Sequence, residues 1–268
     1  MSLPLLRLTA RLWRTTAVFW PLGWGIYVFA VGASVAAISR SVDLEPYLRA
    51  LPVEIGQAFG MSSAGGRYSG ALYVLGAELF GSALILAAIF AMFVAPGLIA
   101  READHGTLDT LLARPIPRRA YAATRLAFYV LVALALGGCG LIGAALAFGP
   151  VGGYAIPWDG LIAVSALFTL GAIAFGTVGM AVAAWRLSTG AGTAAIAILL
   201  GVMFVLNLVA AGDRSRDALG AVSFFHYWTP IATLFDGRLP GDAVLVYAGA
   251  ALAGALATIA ILDRRDIA

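Results

Sequence analysis

The stretch READHGTLDTLLARPIP, residues 101–117, is a short charged segment between two long apolar runs, residues 71–99 and 120–148. Each run exceeds the roughly 20 residues that a helix needs to cross a bilayer. Working outward, four more such runs appear at about 16–38, 158–184, 190–211 and 243–262. No alternating strand-length segments of the kind that build a transmembrane barrel are visible. The expected fold is an all-α polytopic membrane protein: six transmembrane helices in one domain over residues 1–268.

Composition agrees. The chain is 62% hydrophobic and only 12% charged, with a mean hydropathy of +0.94. Soluble domains sit near half apolar and a quarter charged. All 17 basic residues are arginine, which suggests a GC-rich bacterial genome. The phosphate-binding loop of ATPases requires lysine, so residues 1–268 hold no standard form of it. A net charge of +3 calls for no nucleic-acid partner. The lone Cys139, within an apolar run, reads as a buried structural thiol. The N-terminal segment lacks a small-residue cleavage site and reads as retained.

Arginine also sets the expected orientation. With both termini cytoplasmic, 11 arginines fall inside and 6 outside. Residues 3–15 place Leu5, Leu8 and Leu12 on one side and arginines on another, as an interfacial amphipathic helix does. The competing reading is a basic flank of the first span. The first outer loop, residues 39–70, carries Leu48, Leu51, Ile55 and Phe59 at helical spacing, then a Gly/Ser-rich return. The second, residues 212–242, holds an aromatic cluster from Phe224 to Trp228 that fits an interfacial belt or a re-entrant segment.

Within the opening stretch the local signals form a pattern. Pro96 predicts a kink near the end of the second span. Glu102 and Asp104 lead to Gly106 and Thr107; Thr107 is a candidate N-cap, and Asp109 suits the first turn of a helix. Leu108, Leu111 and Leu112 share one face, and Pro115 and Pro117 end the segment. The spacing therefore predicts a short amphipathic helix held between two spans. His105 reads as an ordinary exposed histidine.

This pattern, R-E-x-D-x-G-T-L-D-T-L-L-A-R-P-I-P-R-R, resembles the first cytoplasmic loop of ABC-2-type transporter permeases at Glu102, Gly106, Thr107, Leu108, Leu111, Leu112, Pro115, Ile116 and Arg118. Other landmarks match along the chain: Leu51-Pro52 before Phe59-Gly60, an F-x-Y-x-x-P patch from Phe225 to Pro230, and the ending Arg264-Arg265-Asp266. The resemblance implies a six-span half-unit that pairs with a second copy or a homologous half. It implies a separate nucleotide-binding ATPase subunit that holds ATP and Mg, with no cofactor or metal on this chain and no catalytic residue. It implies that the loop is a coupling helix seated by its leucines, with Glu102, Gly106, Thr107, Leu108, Leu111, Leu112, Pro115 and Arg118 as the coupling residues. The N-terminal amphipathic helix becomes a second contact with the ATPase.

The resemblance also implies that spans 2 and 5 line a central path. Candidate path residues are Phe80, Phe90 and Phe93 on span 2 and Met203 and Asn207 on span 5, an apolar lining suited to a hydrophobic or amphipathic, drug- or antibiotic-like cargo. Glu78, the one carboxylate inside a span, reads as a gate or cargo contact, or as a side chain that snorkels or pairs with Arg67 or another outer-loop arginine. Asn207 alternatively serves helix packing, as do Gly137, Gly140, Gly143, Gly176 and Gly179. The expected function is the membrane subunit of an ATP-driven exporter in a bacterial plasma membrane, surrounded by lipid. The competing classes are an ATP-independent carrier, a structural membrane protein and an intramembrane enzyme. No H-E-x-x-H or G-x-S-x-G occurs, and His105 and His226 fall on opposite sides of the membrane.

Overall fold

A computed structural model describes residues 3–39, 42, 46, 50, 52, 71–106, 117–211 and 217–264. The expected helix and return of the first outer loop lie outside them, apart from isolated positions. So do Thr107, Leu108, Leu111, Leu112, Pro115 and Ile116.

The described residues are all-helical, with no strand and with six helices long and apolar enough to cross a membrane. An N-terminal helix α1 (Leu3–Leu12) turns at Trp13 into the first span, α2 (Arg14–Ile38). The second span is broken into α3 (Ala71–Phe80) and α4 (Ala83–Asp104). The third, α5 (Arg118–Leu146), continues through one wider turn at Ala147–Val151. Spans four and five are α6 (Trp158–Arg186) and α7 (Thr189–Ala211), joined by a two-residue turn with Leu187 at φ +49°. Short α8 (Asp217–Gly220), a single 3₁₀ turn at Phe224–Tyr227 and α9 (Pro230–Asp236) lead to the last span, α10 (Gly241–Arg264).

The centre of the bundle is α6, which packs on α4, α5, α7 and α10. Its buried surface is built of small residues, among them Gly160, Gly171, Gly176 and Gly179. In a membrane lipid is as apolar as the core, so close approach of small side chains replaces hydrophobic collapse as the packing force. Gly176 leaves room for the Tyr129 ring of α5, whose hydroxyl donates to the Ala172 carbonyl at 2.6 Å. A second close crossing joins α2 to α5, where Gly143 meets the Gly25 backbone and Gly140 meets the Trp24 indole. Outer faces of α2, α7 and α10 stay exposed and apolar, with Phe19, Ile26, Ile198 and Leu245 on them.

Two backbone interruptions inside the spans are satisfied by side chains from neighbouring segments, as a bilayer requires. The helix α4 runs on through Pro96, which has no N–H for the Met92 carbonyl four residues earlier. The Thr193 hydroxyl of α7 donates to that carbonyl at 3.1 Å. Replacing Thr193 by Val should lower stability in detergent by about 1 kcal/mol. Thr193→Ser should leave it unchanged, and a thermal denaturation series compares the two. A second interruption, at Gly81–Ser82, frees carbonyls at the end of α3. The buried Trp228 indole N–H donates to those of Phe80 and Gly81 at 3.1 and 3.3 Å. The aromatic cluster thus folds back among the spans: Phe224, Phe225 and Trp228 are buried, and the Tyr247 hydroxyl of α10 donates to the Phe224 carbonyl at 2.8 Å.

Candidate functional site

The end of the bundle where α4 stops and α5 starts is rich in arginine: Arg101, Arg118, Arg119, Arg125, Arg186 and Arg264. The last turn of α4 organises it. Gly106, at φ +66°, takes the left-handed conformation that closes a helix, and its N–H bonds the Ala103 carbonyl at 3.0 Å. His105 is exposed, and its Nδ1 donates to the Arg101 carbonyl at 2.7 Å.

Three side chains of that turn reach three different parts of the bundle. Arg101 lies over the Trp13 ring, 5.4 Å from its centroid, and Trp13 in turn packs against Gly97. Glu102 forms an ion pair with Arg125 of α5 and accepts a hydrogen bond from the Tyr121 hydroxyl at 3.3 Å. Asp104 accepts from the Thr189 backbone N–H at 3.0 Å, placing a carboxylate at the first turn of α7, where free N–H groups and the helix dipole favour an anion. The segment that leads into the loop is therefore tied to the α1–α2 junction, to α5 and to α7.

The Glu102–Arg125 pair is the strongest of these ties. Arg125 is 1% exposed and Glu102 16%. The guanidinium also lies over the Tyr121 ring, at 5.1 Å from its centroid. Tyr121 and Arg125 are one helical turn apart on α5, so both meet the same carboxylate. Among the described residues, Arg125 Nε and Nη1 find no hydrogen-bond partner. A buried cation so dependent on one carboxylate is costly to break apart. By contrast, the Arg119–Asp263 pair at 2.7 Å joins α5 to α10 at the surface, and its 74% exposed arginine gives it little weight.

Of the coupling residues named from sequence, Glu102, Gly106 and Arg118 are described, and they stand at the two edges of the loop. The path residues do not share one surface. Phe80 is buried at the Trp228 end, and Phe90 is buried against Tyr129 with ring centroids 5.7 Å apart. Phe93 is 70% exposed beside Trp20. Met203 and Asn207 lie on the side of α7 covered by residues 217–227, where the Ser223 hydroxyl donates to the Met203 carbonyl at 2.7 Å and Phe204 meets Phe225 edge-on. Asn207 is buried there. Glu78 is exposed on α3, and Arg67 lies outside the described residues.

Arg125, Tyr121 and Thr189 escaped the sequence reading. Arg125 was legible: it falls inside the expected span 120–148, where a charge is rare, yet it is easily counted with the loop arginines. Among the described residues, no group of three or more His, Cys, Asp or Glu side chains could hold a metal.

Comparison with known proteins matches residues 16–262 to the family described as ABC-2 family transporter protein. No curated protein matches the chain. That family comprises membrane subunits that are not themselves catalytic, and it implies association with an ATPase subunit in general. With all six candidate spans meeting that match, the chain belongs to the ABC-2 transporter family, as a multi-pass membrane subunit of an ABC transporter.

Proposed function

We propose that this chain is one permease domain of a bacterial plasma-membrane exporter. It moves a hydrophobic or amphipathic, drug- or antibiotic-like cargo outward, driven by ATP and Mg bound in a separate ATPase subunit. A second permease copy or homologous half completes the pathway. The observation that carries this reading is the last turn of α4. Arg101, Glu102 and Asp104 tie the root of the loop to Trp13, Arg125 and Thr189, so a push on the loop is delivered to several helices at once. The excess of arginine at this end supports a cytoplasmic position for it and for both termini. Without lysine, residues 1–268 hold no standard phosphate-binding loop, so this reading takes its ATP hydrolysis from outside them.

The direct test is co-expression of the tagged chain with P-loop ATPase subunits of ABC transporters from the same genome. A stable complex that survives purification is expected. A chain that purifies alone, and whose transport is indifferent to vanadate, would refute the reading.

A further inference from the structure

The sequence holds no acid before Asp43, yet Arg7, Arg11 and Arg14 fall at helical spacing near its start. Periodicity puts Leu5, Leu8 and Leu12 on one side of α1, and the structure divides them. Leu5 and Thr9, one turn apart, are buried where α1 packs on α5, and buried Trp13 continues their line at the junction with α2. Leu8 and Leu12 are exposed beside that line. Arg7 and Arg11 stand two residues on from Leu5 and Thr9, which is about 200° round the helix. They are exposed and point away from the bundle.

Arg14 carries this charge to the first span. It is exposed at the start of α2, and Val18, Leu22 and Ile26 follow it at successive turns, all of them exposed. One face of a spanning helix is thus apolar for three turns and ends on a cation. A phospholipid has the same order from acyl chain to phosphate. Among the described residues none of Arg7, Arg11 and Arg14 has an ion pair, whereas Arg101, Arg119 and Arg125, at the same end of the bundle, each meet a ring or a carboxylate.

We infer that Arg7, Arg11 and Arg14 form a binding row for acidic phospholipid, with phosphates at the arginines and an acyl chain along Val18, Leu22 and Ile26. Guanidinium groups hold phosphate oxygens through paired N–H donors. Arg7 and Arg11, one turn apart, repel each other until an anion neutralises them. A zwitterionic lipid brings its own cation to the row, so the preference is for a headgroup of net negative charge. An acidic protein surface would match the arginines but would leave the apolar row beneath Arg14 without a partner. Trp13 gives the site a consequence: it packs against Gly97 and lies under Arg101, so a lipid that holds α1 also steadies the root of the loop. The inference stands apart from the transporter reading.

The test is native mass spectrometry of the purified chain in detergent, titrated with dioleoyl phosphatidylglycerol or with dioleoyl phosphatidylcholine. Each basic residue beside an acidic headgroup favours it by about fivefold, so wild type should prefer phosphatidylglycerol by about a hundredfold. The triple variant Arg7→Gln, Arg11→Gln, Arg14→Gln should lose that preference. Arg7→Lys, Arg11→Lys, Arg14→Lys should keep most of it, and Arg238→Gln, an exposed arginine beyond α9, should leave it unchanged. In wild type alone, raising the salt from about 0.05 to 0.5 M should weaken the preference, because exposed charges are screened. Equal binding of the two lipids by wild type, or a preference indifferent to salt, overturns the inference. So does a preference unchanged in the triple glutamine variant. So does competition by free glycerol phosphate as strong as that by the lipid, which would leave the acyl chain no part in the site. Loss of the ATPase subunit from the triple glutamine variant, with the lipid preference intact, would give the row to the ATPase instead.

Discussion

Replacing Arg125 with Met is expected to destabilise the protein by about 3 kcal/mol and to abolish ATP-driven transport. Removing one partner of a buried ion pair costs about 3–5 kcal/mol, because a charge is left without its counterion. The lower end applies here, since Glu102 is 16% exposed and keeps some access to water. The double variant Arg125→Met with Glu102→Gln separates structure from coupling. Removing both charges should recover most of the lost stability. Transport should stay impaired, because the charged tie between α4 and α5 at the root of the loop is gone. Thermal denaturation in detergent and ATP-driven transport in proteoliposomes are the two readouts. A double variant that regains both would reduce the pair to a structural contact.

The second large effect belongs to the loop. Leu111→Asp together with Leu112→Asp should release the ATPase subunit while the permease still inserts and folds. Both residues are outside the spans, so insertion has no reason to fail. If the two leucines seat the loop on a partner, each should contribute about 2 kcal/mol, as central interface residues do, and the pair should weaken the complex about a thousandfold. Retained ATPase on affinity purification, with normal export, would remove the coupling role from this segment.

The spans were legible in sequence for a simple reason. A bilayer demands about 20 apolar residues and complete satisfaction of the backbone, and both leave long unmistakable runs. Their ends were less legible. The second span was expected to stop near residue 99, yet α4 stays helical to Asp104 because Arg101, Glu102 and Asp104 each find a partner across the bundle. The break at Gly81–Ser82 was missed, although a Gly-Ser pair is a common place for a helix to bend. Hydropathy gave no sign that α6 is the centre, since lipid-facing and buried helices are equally apolar. The spacing of glycines along it was the available signal, and Gly176 and Gly179 were read correctly as packing residues.

The functional residues divide in the same way. Glu102 was singled out because it precedes a recognisable motif, but its partner Arg125 lies 23 positions later on another helix, and no local pattern joins them. On span 2 the path residues were assigned by span, whereas Met203 and Asn207 were placed on one face of span 5. Three-dimensional packing sends Phe80, Phe90 and Asn207 into the protein and turns Phe93 outward.

ATP-dependent movement of a fluorescent hydrophobic dye into inside-out proteoliposomes, with and without the partner ATPase, tests the driving mechanism most directly. The expected result is accumulation that requires this chain, the ATPase and Mg-ATP together and that vanadate abolishes. Accumulation of the same size with this chain alone would contradict it.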